Sequence, residues 1–365
     1  MKKLLSMMLC LVLVCGMLIS CDEDKVFGSY LPNYNDYEPE ETETLALNLY
    51  IITEEDSSEI AKETVKLNVN IHTVKYYDTE LKLHYLTASQ YQSKVIEEVN
   101  ASDEDSAHIV LINSAAMMTN LMSADKLVDL TPYLATDEYG RLNAEIPEAL
   151  LSASMINERY YAIPNNHILG EYEYLVINEW ANDEFNVIPP SMFDNDLGPA
   201  DLEGLDALVA ELETKLENAG YDPDQYIYTR KGPYEMQAKI EAEDENLQCI
   251  AIKNPTVDET VAFSSAFAIV DRGEKFNERA MKIVYAMNMD VELRNLIQYG
   301  VKDINYKLDS ATNTVTRYKD ETNRYSMNLF YTGDLFKAYY CPEIGWTAEV
   351  SANGKLQNKE SVLAD

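Results

Sequence analysis

RYYAIPNNHILGEYEYLVIN, residues 159 to 178, carries two strand signals separated by a polar break. Tyr160, Tyr161 and Ile163 form an aromatic-rich run. Beyond the break, Tyr172, Tyr174 and Val176 alternate with Glu171, Glu173 and Leu175 at the period of a strand. Pro164 removes a backbone donor and holds Ile163 extended, so the two runs do not close as a regular hairpin. The pattern predicts a chain that leaves one sheet and enters another, with a ligand cleft beside the crossing.

Toward the N-terminus, residues 45–52 read as a strand buried on both faces, 80–86 as a second strand and 108–112 as a third. Between the first two, Val65, Leu67, Val69 and Ile71 alternate, yet Ile60, Thr64, Leu67, Ile71 and Val74 share one helical face. Asp56 with Glu59 as a helix start, and the need for a crossover, decide for a helix. Thr87 with Gln90 has capping-box spacing and opens a helix with Tyr91, Val95 and Val99 on one side. A Met-rich helix follows Asn113 and Ser114. Strand and helix in alternation predict a parallel sheet with right-handed crossovers, whose ligands sit beyond the carboxyl ends of the strands, at Thr53, Glu54, Asn113 and Ser114.

Toward the C-terminus, helical signals cover residues 146–155, 179–186 and 201–219, the last stopped by Gly220. Short strand signals fall at 226–229, 248–252 and 261–269. Two further helices, 274–289 and 291–299, precede Gly300. Asp194, Asp196 and Asp201 read as a solvated turn and not as a calcium loop, because Gly198 stands where a loop oxygen belongs and no bidentate Glu follows.

The 365 residues suffice for two domains with real cores. The first twenty are set apart: Lys2 and Lys3 precede an apolar run from Leu4 to Ile19, and Leu18-Ile19-Ser20-Cys21 resembles a bacterial lipobox. That resemblance implies a leader over residues 1–20, lipidation of Cys21 and an anchor outside the cytoplasmic membrane. Residues 21–44 are acidic and without period, as in a solvated tether. The formal charge is −34, and losing Lys2 and Lys3 with the leader takes it to −36. Such acidity argues against nucleic acid and anionic lipid head groups as partners. Of the five cysteines only Cys249 and Cys341 stay in the folded part, either paired or as buried thiols.

Leu127 to Leu134 (LVDLTPYL), Arg159 to Pro164 (RYYAIP), Leu175 to Asn178 (LVIN), Phe263 to Val270, Glu278 to Met281 (ERAM) and Leu293 to Val301 (LRNLIQYGV) follow the lipobox in order. Together they resemble the extracellular solute-binding lipoproteins of ABC importers, in the branch assigned to carbohydrate uptake. The resemblance implies an α/β, two-lobed periplasmic-binding-protein-like fold (type II) with hinge crossings: lobe one from residues 45–164 plus 262–300, lobe two from 165–261 plus 301–365. It implies a carbohydrate ligand, permease subunits as partners, a membrane contact through the lipid alone, and no enzyme activity. The segment between Ala219 and Phe263 is short for that branch, which leaves lobe two small.

A sugar site needs aromatic faces for the apolar ring surface and planar polar groups for hydroxyl pairs. The 26 tyrosines and two tryptophans supply rings in excess, most of them core or surface residues. Asn165, Asn166 and His167 are either ligand contacts or caps of a hinge loop. Glu171 matches a sugar-contacting position of some relatives in that family, and Trp346 is the candidate for stacking. With Glu54 and Asn113 these complete the expected ligand set. The histidines have no metal-site spacing, and no phosphate loop, Cys-His pair or GxSxG elbow is present, so neither a metal nor a cofactor is expected. A glycosidase using paired carboxylates is the enzyme alternative, and with 63 acids spacing carries no information on it. The other alternative is a surface receptor or interaction lipoprotein with this fold and no transport role.

Overall fold

The computed structural model describes residues 43–103, 106–193, 199 and 202–364. The leader, Cys21, the tether up to Thr42 and the turn of Asp194, Asp196 and Asp201 lie outside the described residues. The first strands and helices are β1 (Leu45–Ile52), α1 (Glu59–Tyr77), β2 (Thr79–Leu86), α2 (Ala88–Asn100), β3 (Ile109–Ile112), α3 (Ala115–Ser123) and β4 (Ala162–Pro164). There follow β5 (Tyr172–Asn178), α4 (Glu179–Phe185), α5 (Leu205–Asn218), β6 (Ile227–Gly232), α6 (Met236–Glu243) and β7 (Leu247–Lys253). After these come β8 (Ala266–Ile269), α7 (Glu274–Met289), α8 (Val291–Tyr299), β9 (Tyr306–Asp309), β10 (Thr314–Arg317) and α9 (Ala348–Glu360).

One sheet has the order β2-β1-β3-β8-β4. Its first three strands are parallel, as the alternation of strand and helix requires. β8 departs from that expectation: it lies antiparallel between β3 and β4, because it returns from elsewhere in the chain and does not arise from a βα unit. Its strand is also shorter than the 261–269 signal, since Glu259–Ala262 is a helical turn. β1 and β3 are registered at Leu49↔Ile109 and Tyr50↔Val110. The buried Tyr91 hydroxyl reinforces them, donating to Tyr50 O at 2.8 Å and accepting from Leu111 N at 2.7 Å.

Two details of α1 differ from the sequence reading. Its cap is Ser58, whose hydroxyl accepts from Ala61 N at 3.0 Å, and not Asp56. Its buried residues include Ala61, Val65, Val69 and His72, whereas Ile60, Leu67, Ile71 and Val74 are exposed. The segment is a helix, and its apolar stripe lies on the outer face.

A second sheet, β6-β5-β7, is antiparallel with β5 at its centre. The alternation along β5 serves two cores at once. Leu175 and Ile177 join a cluster with Ala181, Leu205, Leu212 and Leu216, while Tyr172, Tyr174 and Val176 join one with Ile240 and Cys249. Cys249 and Cys341 are free thiols buried in separate clusters, and burial pushes Cys249 up to about 12.

The two sheets meet where the opening stretch breaks. Pro164 pairs with Ala266 in the first sheet and Tyr172 with Gly232 in the second, so residues 165–171 carry the chain from one to the other. Residues 254–265 bring it back. Neither segment has a long ladder to satisfy its backbone, and α9 supplies amides instead. Asn358 Oδ1 accepts from Leu169 N at 2.9 Å and its Nδ2 donates to His167 O at 2.7 Å. Gln357 Nε2 donates to Leu169 O at 2.8 Å and Gly170 O at 2.9 Å, and its Oε1 accepts from Tyr234 N at 2.9 Å. Gly170 stands at φ +56°, and a Cβ there would meet Thr256 O of the returning segment at 2.7 Å, so no side chain fits.

Candidate functional site

A cavity of about 540 Å³ opens beside the crossing. Glu54 and Asp56 of the loop after β1 form one side, Ile168 of the crossing another, and Arg317 with residues 326–330 a third; Leu335, Ile344, Gly345, Trp346 and Val350 complete it. None of its lining residues falls between 172 and 253.

The wall at 326–330 belongs to no helix or strand, and its carbonyls are held by side chains of other elements. Ser57 Oγ donates to Ser326 O at 2.9 Å, and Gln298 Nε2 to Met327 O at 2.8 Å. Arg294, fully buried on α8, donates to Leu329 O at 2.9 Å and to Asp334 O at 3.1 Å. Burial pushes its pKa down to about 10, which leaves the guanidinium charged near neutrality. Phe330 O accepts from Ser265 Oγ and, at 3.3 Å, from Asn165 Nδ2. The LRNLIQYGV stretch thus presents a buried polar face that fixes an irregular chain, and the irregular chain forms the cavity wall.

The expected ligand residues divide into three groups. Glu54 and Trp346 line the cavity together. Asn165, Asn166 and His167 are buried behind it and bonded within the protein: Asn165 to Ser265 Oγ at 2.8 Å, Asn166 to Glu145 O at 2.9 Å, and His167 Nδ1 to Asn165 O at 2.7 Å. A carbonyl can only accept, so Nδ1 carries the proton, and burial lowers the His167 pKa and keeps the ring neutral. Their part in the site is to support the His167–Phe330 contact, an edge-on pair at 5.9 Å. Asn113 and Glu171 do not line the cavity; Asn113 is half-buried after β3, and Glu171 is exposed before β5.

Chemically the cavity is an apolar surface with polar edges. Phe330 is 41% exposed and Trp346 only 3%. The indole Nε1 is buried without a hydrogen-bond partner among the described residues, and an unmet donor of this kind costs about 1–3 kcal/mol. Arg317 bonds Ser326 Oγ at 3.3 Å and Glu343 at 3.4 Å. Tyr331 has its pKa raised by burial and then by the Glu54 carboxylate, which places that charge near the wall. Acceptors on one side, a guanidinium on another and rings between them suit a neutral polyhydroxylated molecule better than an anion. Phe330 is absent from the expected ligand set because residues 318–341 have no period that signals a wall, and Asp56 reads in the sequence only as a helix start. Among the described residues, no group of three His, Cys, Asp or Glu side chains could hold a metal ion, and no helix is long and apolar enough to cross a membrane.

No protein-family model matches the sequence, and no curated protein matches it. Solved structures do match. The N-glycan transport solute-binding protein NgtS of Streptococcus pneumoniae aligns over 87% of this chain and 83% of its own, at 16% identity and a TM-score of 0.55. Its complexes with Man1GlcNAc and Man5GlcNAc align over the same 87% of this chain, and over 84% and 83% of their own, at 16% identity and TM-scores of 0.54. The chain has the two-lobed solute-binding fold. Within that fold the sheet of β1 to β4 and β8 is the larger layer, and the three strands β5 to β7 are the smaller one.

Proposed function

We propose that the chain is an extracytoplasmic solute-binding protein that captures a carbohydrate for an ABC importer, held to the membrane by lipid on Cys21. The observation that carries this reading is the cavity that joins Glu54 to the rings of Phe330 and Trp346. The likeness in fold to a protein solved with Man1GlcNAc and Man5GlcNAc supports a glycan as the class to test first. On the lobe bounds expected from the sequence, 45–164 with 262–300 and 165–261 with 301–365, Glu54 and Asp56 come from lobe one and the remaining wall from lobe two.

The test is thermal unfolding and calorimetry against a panel of neutral oligosaccharides that includes mannosyl-GlcNAc. A binder at a hundredfold excess over its dissociation constant gains about 2.7 kcal/mol. Phe330→Ala removes the exposed ring of the wall, and is expected to weaken binding about tenfold with little change in the ligand-free melting temperature. No shift for the wild type anywhere in the panel overturns the carbohydrate reading. For the anchor, Cys21→Ser should move the protein from the membrane fraction to the soluble one.

A receptor without a transport role is the second reading. It is favoured by the amide bonds from Asn358 and Gln357 to residues 167–170, which tie the crossing to α9. Small-angle scattering that is the same with and without ligand would support it, and compaction on binding would support transport.

A further inference from the structure

The second sheet carries an aromatic cluster at the end remote from the crossing. Trp180 lies in the first turn of α4, Tyr221 follows α5, and Tyr226 precedes β6. Ring centroids are 5.3 Å apart for Trp180 and Tyr221, and 5.6 Å for each of the other two pairs, at interplanar angles of 74°, 44° and 77°. Tyr226 packs on the core of this layer. Trp180 nonetheless leaves 43% of its surface exposed and Tyr221 42%.

The rings are held by backbone geometry. Gly220, at φ +84°, ends α5 in a reversal closed by two bonds, Gly220 N to Glu217 O and Tyr221 N to Leu216 O, both 2.9 Å. That Schellman pairing fixes the direction in which Tyr221 leaves the helix. Asn178 N donates to Tyr226 O at 2.8 Å and Glu179 N to Asn246 O at 2.7 Å, which anchors the other two rings at their bases. Three separate elements therefore present a preformed surface.

The geometry selects a ligand class. An aromatic cage holds a cation among its ring faces, within about 6 Å of each centroid. Here the ring edges already occupy one another's faces, so a ligand can meet only the outward surface. Asp222, Asp224 and Gln225, all exposed, lie in the turn between Tyr221 and Tyr226, and Glu179 adjoins Trp180. Their carboxylates accept hydroxyl donors and repel anions. Exposed ring surface bordered by hydroxyl acceptors complements a neutral pyranose, which has a C–H face and a rim of hydroxyls. β5 rises about 3.3 Å per residue, which sets its far end about 20 Å from the crossing, beyond reach of a sugar unit in the cavity beside Ile168.

We propose that Trp180, supported by Tyr221 and Tyr226, is a second carbohydrate-binding surface that holds a neutral polysaccharide while the cavity takes a shorter chain. The proposal rests on the carbohydrate reading of the cavity. It gives the second sheet a role that the cavity, lined by nothing from residues 172–253, does not.

The test is affinity electrophoresis of the folded protein through gels containing soluble mannan, xylan or glycogen. The wild type is expected to be retarded in at least one gel. Trp180→Ala should weaken that retention about tenfold, as the loss of a central aromatic contact does. Trp180→Phe should recover part of it, and Glu54→Gln with Phe330→Ala should leave it unchanged. Circular dichroism melts of each variant separate lost binding from lost folding. A wild type that runs freely in all three gels overturns the proposal, as does Trp180→Ala migrating like the wild type. If the cavity variant alone abolishes retention, the surface is overturned and the cavity reading stands; soluble oligosaccharide shifts test that reading separately.

Discussion

His108 precedes β3, with Nδ1 accepting from Asn48 N at 3.3 Å. Burial, reinforced by the nearby Arg272 charge, pushes its pKa down to about 4 from an ordinary 6.5. Between those values the unfolded chain binds a proton that the folded chain does not, so stability rises with pH across that window and falls on acidification. Urea midpoints should therefore drop between about pH 6.5 and pH 4, and His108→Gln, which stays neutral, should flatten the upper part of the drop. An unchanged slope in the variant would assign the acid sensitivity to the carboxylates. Asn165 shows why single residues were the hardest part to read. As a residue type it fits sugar recognition, and its neighbours Asn166 and His167 strengthen that impression. Its partners are Ser265 and Phe330, far along the chain, and nothing local in the sequence announces them. Glu54 was legible for the opposite reason: its position follows from the end of a parallel strand, which the alternation of strands and helices already implied.

At the level of elements, α9 shows how a weakly patterned segment can hold a fold together. Its buried residues include Ser351, Gly354, Gln357 and Asn358, so no apolar stripe marks it in the sequence. Gly354 is there because a Cβ would meet Ile168 Cγ1 at 2.5 Å, which lets the helix lie close to the crossing. Asn358→Ala leaves Leu169 N and His167 O without their partners, and unmet buried groups cost about 1–3 kcal/mol each. The variant should lose about 2–4 kcal/mol in denaturant titration, with faster amide exchange concentrated at residues 166–170. Exchange that speeds up evenly over the whole chain would refute a local clamp. Periodicity succeeded where one face meets a continuous core, as for the buried Tyr91, Val95 and Val99 of α2. It misjudged α1, where Ile60, Leu67, Ile71 and Val74 form the apolar stripe that stays outside. A period reports that two faces differ, and not which of them is inside.

For the whole molecule the question is which parts a ligand would stabilise. The first sheet, α7 and α8 share one large core that also takes in Tyr325 and Met327. The second sheet has two smaller cores of its own on either side of β5. Free energy gained on binding appears in the regions whose unfolding breaks the site. The cavity wall is bonded to Ser57, Ser265, Arg294 and Gln298, all outside the second sheet, and no lining residue lies between 172 and 253. A saturating oligosaccharide should then slow amide exchange around residues 53–57, 163–168 and 326–346, by about a hundredfold where exchange needs the site to open, and leave residues 227–253 as they were. The expected pattern is protection of the larger unit alone, measured by exchange mass spectrometry with and without ligand. Equal protection across β6 and β7 would place the binding surface between the sheets and remove the cavity from consideration, because a ligand held only by the wall has no contact through which to stabilise those strands.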